Sequence, residues 1–315
     1  MSKVIVTGAS GFLGRHVIAS LLSRDCEVHA FSRSDAPAWK PKNVRWHGVE
    51  LRNRSITRAL LEQVRADGLI HLAWHTAHAD YWTSLENLDW TAASLSLLRD
   101  FGDGGGRRVV VAGSSAEYDW SSPSPFDDTR SPLRPASLYG HCKNALRQVL
   151  QSWAPLAGVS WAWGRIFNLY GPFDKPEKLV SRVIGVLDAG RTLPFDDGSL
   201  VRDFIHVADA ADAFAALYAG PVEGAVNIAS GTPVSVRDVV ATIAASLGKS
   251  GKVQFGSLPM PPSAPPRIDA SIDRLRTEVG WSPRHTLADG LRETCDWWRH
   301  GGSTAASVLG GDRIE

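Results

Sequence analysis

The chain is poor in cysteine. Cys26, Cys142 and Cys295 are too few and too far apart for a disulfide framework or a cysteine-based zinc pattern, which predicts a reducing, cytoplasmic setting. Long apolar runs are also missing. Nothing approaches the eighteen or so residues of a spanning helix, and the opening MSKVIVTGASGFLG holds only a short apolar run before its first glycine. Neither a signal peptide nor a membrane anchor is expected. An excess of charge of one sign is lacking as well. Lys and Arg number 34 against 33 Asp and Glu, a formal net charge of +1, which removes the electrostatic reason to expect nucleic acid or an anionic membrane as partner. No internal repeat is visible. What is present is an ordinary globular composition, 43% apolar and 21% charged, in 315 residues. That length suits about two domains and a core that needs no metal or disulfide staple. The twelve tryptophans are expected mainly in the core and in pocket walls, because an indole buries a large area and needs one polar partner.

The first half alternates short β-branched runs with helical stretches. Strands are predicted near residues 4–6, 27–32, 44–46, 69–73, 109–111 and 159–167. Helices are predicted near 12–24, 55–66 with Ser55 as N-cap, 85–100 and 138–153. This order implies βαβ units, hence a doubly wound parallel sheet of the Rossmann kind, with ligands at the carboxyl ends of its strands. The second half predicts helices near 178–189, 207–218, 236–247, 272–279 and 287–300. Leu258 to Pro266 holds five prolines in nine residues and reads as an extended loop. The Gly-, Ser- and Ala-rich tail from Gly301 to Glu315 is expected to be disordered.

Thr7-Gly8-Ala9-Ser10-Gly11-Phe12-Leu13-Gly14 follows the first strand and opens a helix. Its glycines at 8, 11 and 14 allow a tight turn, close backbone approach to a pyrophosphate at a helix N-terminus, and close helix–strand packing. Dinucleotide binding is the reading, with Gly8, Ser10, Gly11, Phe12, Leu13 and Gly14 as contacts. An NAD binder carries Asp or Glu at the end of the second strand to hold the ribose 2′-hydroxyl. Here Ser32 takes that place and Arg33 follows it, with Asp35 nearby. A hydroxyl and a guanidinium suit a 2′-phosphate, so NADP(H) is expected over NAD(H).

Tyr139 and Lys143 stand four apart at the start of a predicted helix and therefore share a face. An ammonium beside a phenol is expected to lower the phenol's pKa and ready it for proton transfer. Upstream, Ser114 ends a buried strand, where its hydroxyl can bind a substrate oxygen. His71, His75 and His78 are spaced four and three apart, but no carboxylate-rich loop flanks them closely apart from Asp80, and no metal site is expected.

Together these segments resemble the extended short-chain dehydrogenases/reductases that act on nucleotide-diphosphate sugars. Further segments add to the likeness over residues 3–298. They are Ile70-His71-Leu72-Ala73 with Trp74 after it, Glu50-Leu51, Arg165 to Pro172 (RIFNLYGP), Arg202 to Val207 (RDFIHV), Asn227 to Gly231, and Pro266 to Asp269. The resemblance implies that Ser114, Tyr139 and Lys143 are the catalytic set. It implies that Glu50, Leu51, Leu72, Ala73, Trp74, Tyr139 and Lys143 help line the cofactor site. It also implies that Asn168, Arg202 and Arg267 hold the diphosphate and nucleoside, for which two planar guanidinium forks are suited. His75 and Ser115 are expected at the substrate. The dinucleotide-binding domain is expected over 1–167 with 203–229 returning to it, and a substrate-binding domain over 168–202 and 230–300. The apolar faces of the helices near 85–100 and 138–153 imply a homodimer, as in that family.

The resemblance also separates reactions. Dehydratases resemble Thr-Asp-Glu where this chain has Ser114-Ser115-Ala116, so elimination lacks its two carboxyls. Epimerase-reductases of the GDP-fucose synthase kind need a cysteine where Ala116 stands and a histidine where Phe173 stands. NADPH-dependent reduction of a 4-keto-6-deoxy nucleotide sugar is the expected activity. A 4-epimerase with retained NAD(P) is the alternative. A non-catalytic NADP-binding module is argued against by the intact Ser-Tyr-Lys set, and a reductase of non-nucleotide ketones by Arg202 and Arg267.

Overall fold

Residues 2–33, 37, 39, 41–77, 80–260 and 264–302 are described by the structure, a computed structural model. The first strand, β1 (Lys3–Thr7), is buried on both faces. Val4 and Val6 enter one apolar cluster and Ile5 enters another, which is what a central strand between two helix layers requires. The chain continues through α1 (Phe12–Leu22), β2 (Glu27–Ser32), β3 (Val44–Gly48), α2 (Arg54–Val64), β4 (Gly68–His71), α3 (Glu86–Asp103), β5 (Arg108–Ser114), a 3-10 turn at Ser115–Glu117, α4 (Leu138–Leu156) and β6 (Ser160–Ile166). After it come β7 (Asn168–Tyr170), α5 (Leu179–Asp188), β8 (Leu193–Pro194), β9 (Val201–His206), α6 (Val207–Ala219), β10 (Gly224–Ile228), β11 (Pro233–Ser235), α7 (Val236–Ser246), β12 (Val253–Gln254), β13 (Arg267–Ile268), α8 (Asp273–Thr277) and α9 (Leu287–Trp297).

Seven strands form one parallel sheet in the order β10-β6-β5-β4-β1-β2-β3. Helices α1 and α6 pack on one face, while α2, α3 and α4 cover the other. This is the doubly wound Rossmann arrangement. Strand order reverses between β1 and β4, so their carboxyl ends open the crevice in which such sheets bind ligands. Strand β10 brings the chain back beside β6 after an excursion through a smaller sheet. There β9 pairs with β11 on one side and with β13 and β7 on the other. A third apolar cluster joins α5, α7 and α9 through Val183, Ile184, Val240, Ile243 and Leu291. Among the described residues no helix is long and apolar enough to cross a membrane.

Two local expectations change. Helix α2 starts at Arg54 and is capped by Asn53, not Ser55. Asn53 Oδ1 accepts from the Ile56 N–H at 3.4 Å, and the Ser55 hydroxyl donates to the same oxygen at 2.9 Å. The last helix ends at Trp297 and widens into a turn reaching Gly302. Residues 303–315 of the expected disordered tail, together with Ser34, Asp35 and His78, lie outside the described residues.

Candidate active site

The β1–α1 turn is shaped by what a side chain would strike. Gly8 has φ +66°, and a Cβ there would lie 2.9 Å from the Ala73 nitrogen. A Cβ on Gly14 would lie 2.2 Å from the Gly8 carbonyl oxygen. Gly11 is the N-cap of α1, with no acid in its first turn and, among the described residues, no side chain closing the helix start. An uncapped helix start of this kind fits the pyrophosphate of a dinucleotide.

Thr7, which the sequence reading passed over, pins β4 beside this turn. Its hydroxyl oxygen accepts from the Leu72 and Ala73 N–H groups at 3.1 and 3.2 Å and bonds His71 Nδ1 at 2.7 Å. On the far side of the ring, His71 Nε2 meets Ser94 Oγ at 2.9 Å, and that hydroxyl gives its proton to the Trp90 carbonyl at 2.6 Å. His71 therefore carries its proton on Nε2, and Nδ1 accepts from Thr7. Burial drives its pKa down to about 3 and keeps the ring neutral. Both ring nitrogens are thus engaged in positioning Leu72 and Ala73.

At the end of β2, Ser32 is buried and Arg33 is exposed. The Ser32 carbonyl accepts from Val49 at 2.7 Å, which sets Glu50 and buried Leu51 beside the strand end. Arg52 grips Glu50 with two bonds, at 3.1 and 3.2 Å. Those bonds hold the Glu50 carboxyl below the usual carboxylate range, with a smaller contribution from nearby Arg33.

Ser137 caps α4 by accepting from the Gly140 N–H at 3.2 Å, which places Tyr139 in the first turn and Lys143 one turn on. Gly140 lets the helix seat against the turn after β5, since a Cβ there would be 2.3 Å from the Ala116 carbonyl oxygen. Ser114 is brought within a hydrogen bond of Tyr139. The expected depression of the phenol by Lys143 is not found. Burial outweighs the Ser114 bond and raises Tyr139 to about 12. Lys143 donates to the Ala112 carbonyl at 2.9 Å and stands 3.7 Å over the Trp74 ring, and its own burial lowers it to about 7. A lysine that has lost much of its charge cannot hold a phenol down.

Glu117 lies beneath this set with both carboxylate oxygens filled. Oε1 accepts from the Ser114 N–H and from Trp163 Nε1, each at 2.8 Å, and Oε2 accepts from Arg165 Nε at 2.8 Å. Both members of the pair are fully buried. Arg165, part of the RIFNLYGP segment, therefore supports the floor of the site.

Over Tyr139 lies an aromatic wall that sequence reasoning did not place. Tyr81 and Trp82 present their rings edge-on at 5.3 and 5.7 Å, and the Tyr139 N–H donates to the Trp82 carbonyl. Trp120 packs 5.8 Å from Trp82 and donates its indole N–H to the Ser115 carbonyl. The signal available was the adjacent Tyr81-Trp82 pair in the segment after β4. His75, on the same segment, bonds Asp80 at 3.0 Å and lies 3.6 Å from Glu86.

The small sheet holds the remaining candidates. Asn168 stands opposite Phe204 and donates to the Asp203 carbonyl at 3.0 Å. Arg202 stands opposite Ile268, and Arg267 opposite Val201, one step apart on neighbouring strands. Arg202 folds onto the Val201 carbonyl, while half-exposed Arg267 forms a two-pronged pair with buried Asp269 at 2.8 and 3.0 Å.

Residues 4–229, from β1 to just past β10, match the NAD dependent epimerase/dehydratase family. The chain belongs to that family. It is thus an NAD(P)-dependent enzyme of the extended short-chain dehydrogenase/reductase type, whose members are nucleotide-sugar epimerases, dehydratases and reductases. Within the family it is 29% identical to a dTDP-4-dehydro-6-deoxy-D-allose reductase of Streptomyces sp, over 94% of this chain and 96% of the relative. It is 26% identical to the UDP-glucuronate 4-epimerase of Thermodesulfobacterium geofontis (strain OPF15), again over 94% and 96%. Among solved structures, the UDP-glucose 4-epimerase of Thermus thermophilus in complex with NAD superposes with a TM-score of 0.82 at 26% identity, covering 95% of this chain and 99% of that one.

Proposed function

We propose that this family member is an NADPH-dependent reductase that converts a 4-keto-6-deoxy nucleotide-diphosphate sugar to its 4-hydroxy form. The observation that carries the reading is Ser32 followed by exposed Arg33 at the carboxyl end of β2, where an acid would hold the 2′-hydroxyl of NAD. Two further features support it. Ser115 and buried Ala116 carry no carboxyl for a dehydration, and both oxygens of the nearby Glu117 carboxylate are already engaged by Ser114, Trp163 and Arg165. The likeness to a dTDP-4-dehydro-6-deoxy-D-allose reductase points to the same step.

In this reading the glycine turn, Ser10, Phe12 and Leu13 hold the pyrophosphate, and Glu50, Leu51, Leu72, Ala73 and Trp74 line the rest of the cofactor site. A bound nicotinamide cofactor supplies the hydride. Ser114 orients the substrate carbonyl oxygen, and Tyr139 gives that oxygen its proton. A phenol held near 12 waits protonated at neutral pH, which is the starting state a reduction needs. Lys143, one turn along α4 from Tyr139, holds the ribose hydroxyls. Asn168, Arg202 and Arg267 take the diphosphate and nucleoside, with His75 and Ser115 toward the sugar. Residues 1–167 and 203–229 form the dinucleotide-binding part, and 168–202 with 230–300 the substrate part. Exposed Leu88 on α3 and Val149 on α4 fit a homodimer paired through those helices.

The second reading is a 4-epimerase that keeps its cofactor, supported by the likeness to epimerases, one of them in complex with NAD. One experiment separates the two. The enzyme is given a 4-keto-6-deoxy nucleotide sugar with NADPH and, separately, an unoxidised nucleotide hexose without net cofactor supply. Stoichiometric NADPH consumption with the keto sugar is expected. Tyr139→Phe should lower it roughly 10²–10⁴-fold while both ligands still bind. Conversion of the hexose to its 4-epimer with no net cofactor use installs the epimerase reading. Wild-type activity in Tyr139→Phe rejects both.

A further inference from the structure

Where β9 passes into α6, the His206 side chain is 2% exposed, and neither ring nitrogen has a hydrogen-bond partner among the described residues. Buried polar atoms are nearly always paired, so an imidazole with both nitrogens bare calls for an explanation. His285 lies against it, with ring centroids 4.2 Å apart. The His285 ring is fixed from behind. Asp209 Oδ1 meets its Nδ1 at 2.9 Å, and Oδ2 of the same carboxylate accepts the backbone N–H groups of Arg284 and His285 at 3.0 and 2.9 Å. That leaves His285 Nε2 toward Glu293, whose Oε2 is 3.5 Å away. One ring nitrogen of His206, one of His285 and a carboxylate oxygen of Glu293 all lie within 4.8 Å of one another.

We propose that His206, His285 and Glu293 bind a zinc ion, with Asp209 as the carboxylate that orients His285. Two imidazoles and one carboxylate suit zinc better than calcium or magnesium, which prefer all-oxygen shells. Ligand atoms bonded at about 2.0–2.2 Å around a tetrahedral ion stand roughly 3.3 Å apart. The His285–Glu293 gap of 3.5 Å is already close to that. Glu293 is half exposed near the middle of α9 and closes the rest by side-chain rotation. The bond from His285 Nδ1 to a buried carboxylate is the outer-shell arrangement that zinc-bound histidines carry. An ion pair between His285 and Glu293 alone leaves His206 unpaired, whereas a shared metal engages all three.

The ion has a route in. His285 and Glu293 line an open cleft of about 550 Å³ together with Pro172, Arg292, Trp297 and His300. Three protein ligands leave the fourth zinc position for water on that side. The ion ties α9 to the start of α6, directly behind Gly171, where a Cβ would lie 3.2 Å from His206 Nε2. None of these residues takes part in the proton transfer proposed for Tyr139.

The test uses tag-free full-length protein, stripped with chelator and then titrated with zinc chloride by calorimetry, with bound metal counted after gel filtration. About one equivalent is expected, together with a rise in melting temperature. His285→Ala and Glu293→Gln should each weaken binding at least tenfold, and Asp209→Asn by roughly 10–100-fold. His47→Ala removes a histidine of the separate His29–His47 stack and should leave zinc unchanged. Cobalt in place of zinc should give the visible bands of a tetrahedral site, lost in His285→Ala. Substoichiometric zinc in the wild type, or equal zinc in wild type, His285→Ala and Glu293→Gln, overturns the proposal. Both substituted positions are partly solvent-exposed, so correctly folded variants are expected for the comparison.

Discussion

A Cβ on Gly140 would stand 2.3 Å from the Ala116 carbonyl oxygen, so helix α4 reaches the β5 turn only because residue 140 has no side chain. Tyr139 precedes that glycine, and Ser114 begins that turn. The distance between the two proposed catalytic hydroxyls is therefore set by a missing methyl group. Gly140→Ala should push α4 outward, lowering turnover at least a hundredfold and the melting temperature by several degrees. Gly251→Ala, which would meet open space, should change neither. Steady-state kinetics and thermal melts decide it, and an active Gly140→Ala would refute the argument.

Glu117→Gln tests the floor of the site. The carboxylate accepts three N–H groups, from Ser114, Trp163 and Arg165. An amide cannot accept them all and leaves the buried guanidinium without its counter-charge. Breaking one side of a buried pair costs about 3–5 kcal/mol. Urea unfolding should show a loss of that order, along with reduced activity through Ser114. A loss below about 1 kcal/mol contradicts the buried pair.

Lys143 should make stability depend on pH. Its folded pKa is about 7 against 10.5 for a free side chain. Above pH 10.5 the amine is neutral in both states. Between there and about 7 the unfolded chain binds a proton that the folded chain refuses, so stability falls as pH falls. Below about 7 the full penalty, on the order of 5 kcal/mol, is present. Lys143→Met removes it. From about pH 9 to about pH 6.5, the wild type should lose more unfolding free energy than the variant, measured without ligands; parallel profiles would exclude the effect.

Arg33 should select the cofactor. A charged hydrogen bond to a 2′-phosphate contributes roughly 1.5–3 kcal/mol, so NADPH should bind at least about tenfold tighter than NADH. Arg33→Ala should remove most of the difference without disturbing the Glu50–Arg52 pair. Fluorescence titration reads both affinities, and equal affinities in the wild type rule out this role.

Much of the first half was legible in the sequence, because its strands are buried on both faces and its glycines punctuate the β1–α1 turn. β2 falls where the pattern 27–32 placed it. The small sheet was not legible, since most of its strands run only two or three residues, and β9, reading V-R-D-F-I-H, has no clean alternation. Ser114, Tyr139 and Lys143 could be read as neighbours because Ser114 ends one element and the other two lie one turn apart on another. The sign of the Tyr139 shift could not, because burial is a property of the packed wall of Trp74, Tyr81 and Trp82 and not of a four-residue interval. His206, His285 and Glu293 were invisible for a related reason: a search by histidine spacing looks along the chain, and these three meet only through the fold.

The place of β10 at the rim of the large sheet bears on how the protein is made. Until residues 224–228 leave the ribosome, β6 is an edge, and its buried Trp161, Ala162 and Trp163 belong to a strand with one row of backbone donors and acceptors still open. Such an edge is a template for pairing with another chain. A nascent or truncated protein ending before Gly224 is thus exposed to self-association at β6. The protection arrives from a segment synthesised more than fifty residues later, after β7 and β9 of the small sheet have been made.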